Sequence, residues 1–102
     1  MLFRSNRRAT LVPVQVMETA LRAHPLVAEM VERGNPNSMT DAAVGALLLD
    51  AAVAGAGLNA RVNLAGIEDQ AFRREIEAKV AELREKAREL SARILAAVEA
   101  KL

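Results

Sequence analysis

Two short polar runs carry side chains of the kinds that hold and orient a small charged molecule: Asn35-Pro-Asn-Ser-Met-Thr-Asp41 and Asn59-Ala-Arg-Val-Asn63. Asp41 is a carboxylate able to shuttle a proton, yet it also stands three residues after Ser38, where it would accept backbone N–H groups in a capping box. Ser38 and Thr40 share that duality. They either contact an anionic or heterocyclic group at a helix N-terminus or cap the helix themselves. Asn35 and Asn37 flank Pro36 and read as turn residues or as ligand contacts. Asn59 and Asn63, four apart, share one face of a helix, and Arg61 points away from them. The Arg61 guanidinium suits a forked grip on carboxylates or an ion pair with an acid on another helix.

Composition removes other chemistries. The chain has 102 residues, no Cys and one His, which excludes a disulfide framework, a thiol nucleophile and a Cys-based zinc site and leaves a single imidazole for any His chemistry. No metal site is expected. Fourteen Lys+Arg stand against 13 Asp+Glu, and the net charge of +1 gives no footprint for nucleic acid. Hydrophobic residues make up 52%, but 21 of them are Ala, so large apolar side chains are few for a self-contained core. Enrichment in Ala, Leu, Glu and Arg predicts an all-α protein.

Three long antiparallel helices must position the polar runs. The first is expected from about Pro13 to Arg33, with Val14, Met17, Leu21, His24, Ala28 and Val31 as its stripe and a kink or break at Pro25. His24, on that stripe, reads as a packed, hydrogen-bonded residue. Gly34-Asn-Pro-Asn37 is a turn. The second helix is expected from Ser38 toward Asn63, with Gly45, Ala52 and Gly55 allowing neighbouring backbones to approach closely. Its Ala42–Leu58 stretch is nearly uncharged, but Asp50 would be costly inside a bilayer, so enclosure by other helices is expected and no membrane partner. Asp50 needs an ionic partner or an exposed side. The third helix, about Asp69 to Leu102, repeats apolar residues at Ile76, Val80, Leu83, Ala87, Leu90, Ile94 and Ala97. Glu75–Lys79, Glu82–Lys86 and Glu89–Arg93 are expected i,i+4 pairs along it. Residues 1–8, with Arg4, Arg7 and Arg8, read as a disordered or non-native start, and the absence of an export signal predicts a cytoplasmic protein.

The order from Gly34 to Leu64, GNPNSMTDAAVGALLLDAAVAGAGLNARVNL, resembles the cyclodeaminase/cyclohydrolase proteins of folate one-carbon metabolism. Ala9-Thr-Leu-Val-Pro13 is similar to the family's approach to this helix, and Val98-Glu-Ala-Lys-Leu102 to its C-terminus, so the likeness runs over residues 9–102. It implies the C-terminal half of a larger helical bundle that dimerises around a folate groove. The N-terminal helices, where the family's acid–base carboxylate lies, have no counterpart in this sequence. The implied substrate is a tetrahydrofolate derivative, with no other cofactor. A cyclohydrolase opens the cationic N5–CH–N10 bridge with water, whereas a cyclodeaminase closes it as N10 displaces ammonia. Within the residues present, Asp41 is the candidate catalytic group on its own chemistry, not by a match to the family's carboxylate, and Asn35, Asn37, Ser38, Thr40, Asn59, Arg61 and Asn63 are candidate substrate contacts. A non-catalytic module that assembles through unmatched apolar faces is the alternative. Either way a homo-oligomer or a complementary N-terminal half is the expected partner.

Overall fold

A computed structural model describes the backbone of residues 2–102 and the side chains from Arg7 onward. Three helices fill it: α1 (Leu2–Arg33), α2 (Pro36–Leu64) and α3 (Gln70–Lys101), with no strand among the described residues. Connections are short, so the helices run up, down and up, as the all-α reading expects. Asn63 near the end of α2 bonds Ala9 in α1, while Lys101 near the end of α3 bonds Val31 near the end of α1. The molecule measures 52 × 19 × 16 Å. Its radius of gyration, 16.1 Å, exceeds the roughly 13 Å of a compact chain this size.

α1 starts eleven residues ahead of the expected Pro13, so the irregular lead expected over residues 1–8 is helical from Leu2 onward; Met1 and the Arg4 side chain lie outside the described residues. Two contacts hold this lead in place. Arg7 pairs with Asp69 at 2.6 Å and lies over the Phe72 ring, 4.6 Å from its centroid, tying the start of α1 to the start of α3. Pro13 has no N–H for the Ala9 carbonyl, and Asn63 Nδ2 donates to that oxygen instead, at 2.9 Å. Of the kink or break expected at Pro25, the break is absent, since α1 runs through it as one helix. Pro25 is exposed, and buried residues on both sides, His24 and Val31, hold the two arms to common neighbours. The three helices are therefore matched in length at 32, 29 and 32 residues.

α2 opens one turn earlier than expected. Asn35, not Ser38, is its N-cap: Asn35 Oδ1 accepts from the Ser38 N–H at 3.0 Å, and Pro36 occupies the first turn, where its missing N–H costs nothing. Gly34 precedes it because a Cβ there would lie 2.5 Å from the Met30 carbonyl oxygen and 2.8 Å from Ser38 Cβ. Asp69 caps α3, its Oδ1 accepting from the Phe72 N–H at 3.1 Å.

The core has two parts. Met17, Val53, Ala60, Leu64 and Val80 belong to the larger, and Val31, Met39, Ala46, Ile94 and Val98 to the smaller. Between them lies a buried polar joint. A carbonyl can only accept, so His24 Nδ1 donates to the Ala20 oxygen at 3.1 Å; Nε2 then faces Ser91 Oγ at 3.0 Å, itself 3.2 Å from the Ala46 oxygen. This is the packed, hydrogen-bonded histidine the sequence predicts. Ser91 also marks a correction on α3. The buried seam is Ile76, Val80, Leu83, Ala87, Ser91, Ile94 and Val98, so Leu90 and Ala97 are displaced from it. Ile76, Ala87 and Val98 are eleven residues apart, a period of about 3.67 that follows an ordinary helix better than a heptad does. Of the expected pairs along α3 only Glu82–Lys86 forms, at 3.8 Å; Lys79 reaches instead to Glu18 on α1.

Candidate functional site

Between α2 and α3 lies an open groove of about 570 Å³. Gly57, Leu58 and Val80 supply its apolar lining, and Arg61, Glu77 and Arg84 its charges. Arg84 is committed to Asp50, Nη1 to Oδ1 at 2.7 Å, the ionic partner Asp50 was expected to need. Arg61 and Glu77 make no ion pair among the described residues. The groove thus holds one guanidinium able to fork onto a carboxylate or phosphate without breaking an existing contact. Sequence reasoning did not find Glu77 or Arg84 as its wall. Their spacing of seven, two turns on one side of α3, was the available signal.

The groove exists because α2 is narrow where α3 meets it. A Cβ on Gly57 would stand 3.4 Å from both Met17 Cε and Val80 Cγ1, so the glycine lets both neighbours close in. The other small residues behave differently from the expectation. Gly45 has only Val27 Cγ2 near it, at 3.9 Å, nothing lies within 4 Å of Gly55, and Ala52 is exposed. The expected close approach of backbones is thus not found at Gly45 or Gly55; the tight contact on α2 is at Gly57, on the inner side of the helix, and it is with the side chains of Met17 and Val80.

The sequence-derived site residues divide between the two ends of α2. At the N-terminal end Asn35 is the cap, and Asn37 is exposed with its carbonyl accepting from Thr40 Oγ1 at 3.0 Å. Ser38 is half-buried and offers its N–H to the cap, whereas Asp41 is exposed and makes no hydrogen bond or ion pair among the described residues. At the C-terminal end Asn59 and Arg61 are exposed, and Asn63 is engaged with Ala9. Asp41 and Arg61 are twenty residues apart on one helix, about 30 Å at 1.5 Å per residue. One chain does not bring the two groups together.

α2 is also long and apolar enough to cross a membrane, by length and composition alone. Its outward side carries Val44, Leu47, Leu48, Leu58 and Val62, all exposed.

Known proteins agree with the resemblance drawn from residues 34–64. Residues 4–82 match the family model described as formiminotransferase-cyclodeaminase. The formimidoyltransferase-cyclodeaminase of Rattus norvegicus is 30% identical over 95 residues, covering 93% of this chain and 18% of the relative. The formimidoyltransferase-cyclodeaminase of Gallus gallus is 40% identical over 70 residues, 69% of this chain and 13% of the relative. The chain thus spans less than a fifth of the length of the relatives it matches. A match over most of the sequence, centred on the helix whose capped start and groove-facing end hold every polar candidate, makes the chain a member of the formiminotransferase-cyclodeaminase family.

Proposed function

We propose that the chain supplies the C-terminal, substrate-holding part of an enzyme acting on a tetrahydrofolate one-carbon derivative, as a cyclohydrolase or a cyclodeaminase. The observation that carries this reading is an unpaired Arg61 at the mouth of an apolar groove, in a chain of this family. In the proposal, Arg61 grips a carboxylate of the folate tail, while Gly57, Leu58 and Val80 receive the flat apolar part of the ligand; Asn59, on another side of α2, is a polar contact outside the groove. Asp41 is the proposed proton carrier, with Asn35, Asn37, Ser38 and Thr40 as polar contacts around it. Positioning and proton transfer suffice for either reaction, and no further cofactor enters the proposal. Because Asp41 and Arg61 lie far apart on one helix, the working site is completed by another polypeptide: a complementary N-terminal half or a second copy. A cytoplasmic location goes with this reading.

The exposed large side chains on α2 favour a second reading, a non-catalytic helical module that assembles through that face. Methenyltetrahydrofolate separates the two. Under the first reading the chain binds it, loses about tenfold in affinity on Arg61→Ala (roughly 1.4 kcal/mol), and speeds the loss of its ultraviolet absorbance above the buffer rate. A helical oligomer with neither binding nor turnover establishes the second reading and overturns the first.

A further inference from the structure

We propose that the Asp50–Arg84 ion pair makes one end of the α2–α3 groove a reader of uncharged acceptors, so that the groove takes its ligand in one direction: an N-acyl amino-acid end at Arg61 and Glu77, and a neutral heterocycle at Arg84. This orientation rests on the folate reading above.

The two ends of the groove differ in charge. Arg84 Nη1 reaches Asp50 Oδ1 across the α2–α3 joint at 2.7 Å, and the two side chains are only 32% and 30% exposed. Held that close, the two charges cancel. Arg84 makes no other hydrogen bond among the described residues, yet it lines the groove, so four of the five N–H donors of a guanidinium stay open. A guanidinium already compensated by a carboxylate offers directed hydrogen bonds with little net field. That suits a ring carbonyl or ring nitrogen better than an anion.

Arg61 and Glu77, both exposed, line the other end and make no ion pair among the described residues. One asks for an anion and the other for a donor. An N-acyl amino acid presents both within a few atoms, its carboxylate to the Arg61 fork and its amide N–H to Glu77. Packing sets these groups in order. A Cβ on Gly57 would meet Val80 Cγ1 at 3.4 Å, and four residues on, about 6 Å along antiparallel helices, Arg61 comes level with Ile76 and its neighbour Glu77. Arg84 stands seven residues from Glu77, about 10 Å along α3. Between the two ends lie Ala54, Gly57, Leu58, Val80 and Ala81, an uncharged floor for a flat ring with a linking atom on each side. Reversed, the ligand would set its carboxylate against a cation that Asp50 already answers and leave Arg61 without an anion. Asp50 is therefore a positioning residue: it touches Arg84, not the ligand.

Titration calorimetry of the 102-residue chain with methenyltetrahydrofolate and with 4-aminobenzoylglutamate, which lacks the heterocycle, tests the direction. Arg84→Gln is expected to weaken the first about five- to tenfold and to leave the second within about twofold, whereas Arg61→Ala weakens both about tenfold. Asp50→Asn keeps the size of the side chain but strips its charge, which turns Arg84 into an anion site. Inorganic phosphate then binds about tenfold more tightly than to wild type, a gain that loosened packing would not give and that Arg84→Gln removes from the double variant. Equal losses of both ligands on Arg84→Gln, no loss of either, or an Asp50→Asn chain with wild-type phosphate affinity each overturns the orientation and leaves the folate reading standing. A helical wild-type chain that binds neither ligand overturns both.

Discussion

The two faces of α2 invert the usual rule of burial. Between Met39 and Leu64, which are buried at its two ends, the inner face is made of Ala42, Ala46, Val53, Ala56, Gly57 and Ala60, while Val44, Leu47, Leu48, Leu58 and Val62 stand outside. In a self-sufficient domain the largest apolar side chains are the ones removed from water, because each stabilises in proportion to the area it buries. Here the small residues are inside for a geometric reason: they let α1 and α3 approach, with Met17 and Val80 filling the space over Gly57. The large ones outside are left uncovered by the other two helices. One side of the helix is thus buried by shape, and the other keeps its apolar area in water.

The contrast can be broken first at the core. Met17→Ala removes a fully buried side chain and is expected to cost about 2–5 kcal/mol by chemical denaturation, whereas Leu58→Ala, on the outer face, stays within about 0.5 kcal/mol of wild type when the chain is diluted to the monomer. Equal losses at the two positions would remove the distinction between the faces. Two neighbouring glycines give a second comparison. Gly57→Leu overpacks against Met17 and Val80 and costs about 1–3 kcal/mol, while Gly55→Ala meets nothing and gains up to about 1 kcal/mol of helix propensity. Thermal melts of the two variants should move in opposite directions.

Smaller effects sharpen the account of the inner face. Ser91→Ala leaves His24 Nε2 buried without its partner and is expected to lower stability by about 1–3 kcal/mol; Ser91→Thr, which keeps the hydroxyl, recovers part of that loss. The smallest effect is at the joint between α1 and α2. Asn63→Ala should cost about 0.5–1.5 kcal/mol, and less in a Pro13→Ala background, where residue 13 regains the N–H that serves the Ala9 carbonyl. Additivity of the two changes would show that Asn63 does not act through that oxygen.

Much of the fold was legible from periodicity. The α1 stripe keeps Val14, Met17, His24 and Val31 buried, and the predicted needs of Asp50 and His24 are met by Arg84 and Ser91. The failures have physical causes. Residues before Pro13 read as an irregular lead because a proline marks a helix start only when no side chain replaces its missing donor, and Asn63 lies fifty residues away. The α3 seam was assigned a heptad where the helix keeps its own period, which hid Ser91. On α2, apolar residues on every side conceal the inner face, so Gly45, Ala52 and Gly55 stand out from the sequence while Gly57, the buried glycine, does not. The candidate site was legible as residue types but not as a place, since nothing local says that Asp41 and Arg61 end up at opposite ends of one straight rod.

Sedimentation equilibrium of the 102-residue chain at micromolar concentration tests most directly whether the outer face of α2 is built for contact. The account predicts a mass above the 11.0 kDa of one chain for wild type, as its uncovered apolar face self-associates, and 11.0 kDa for a helical Leu48→Asp variant. A helical wild-type chain sedimenting at 11.0 kDa, with those leucines and valines left in water, would contradict it.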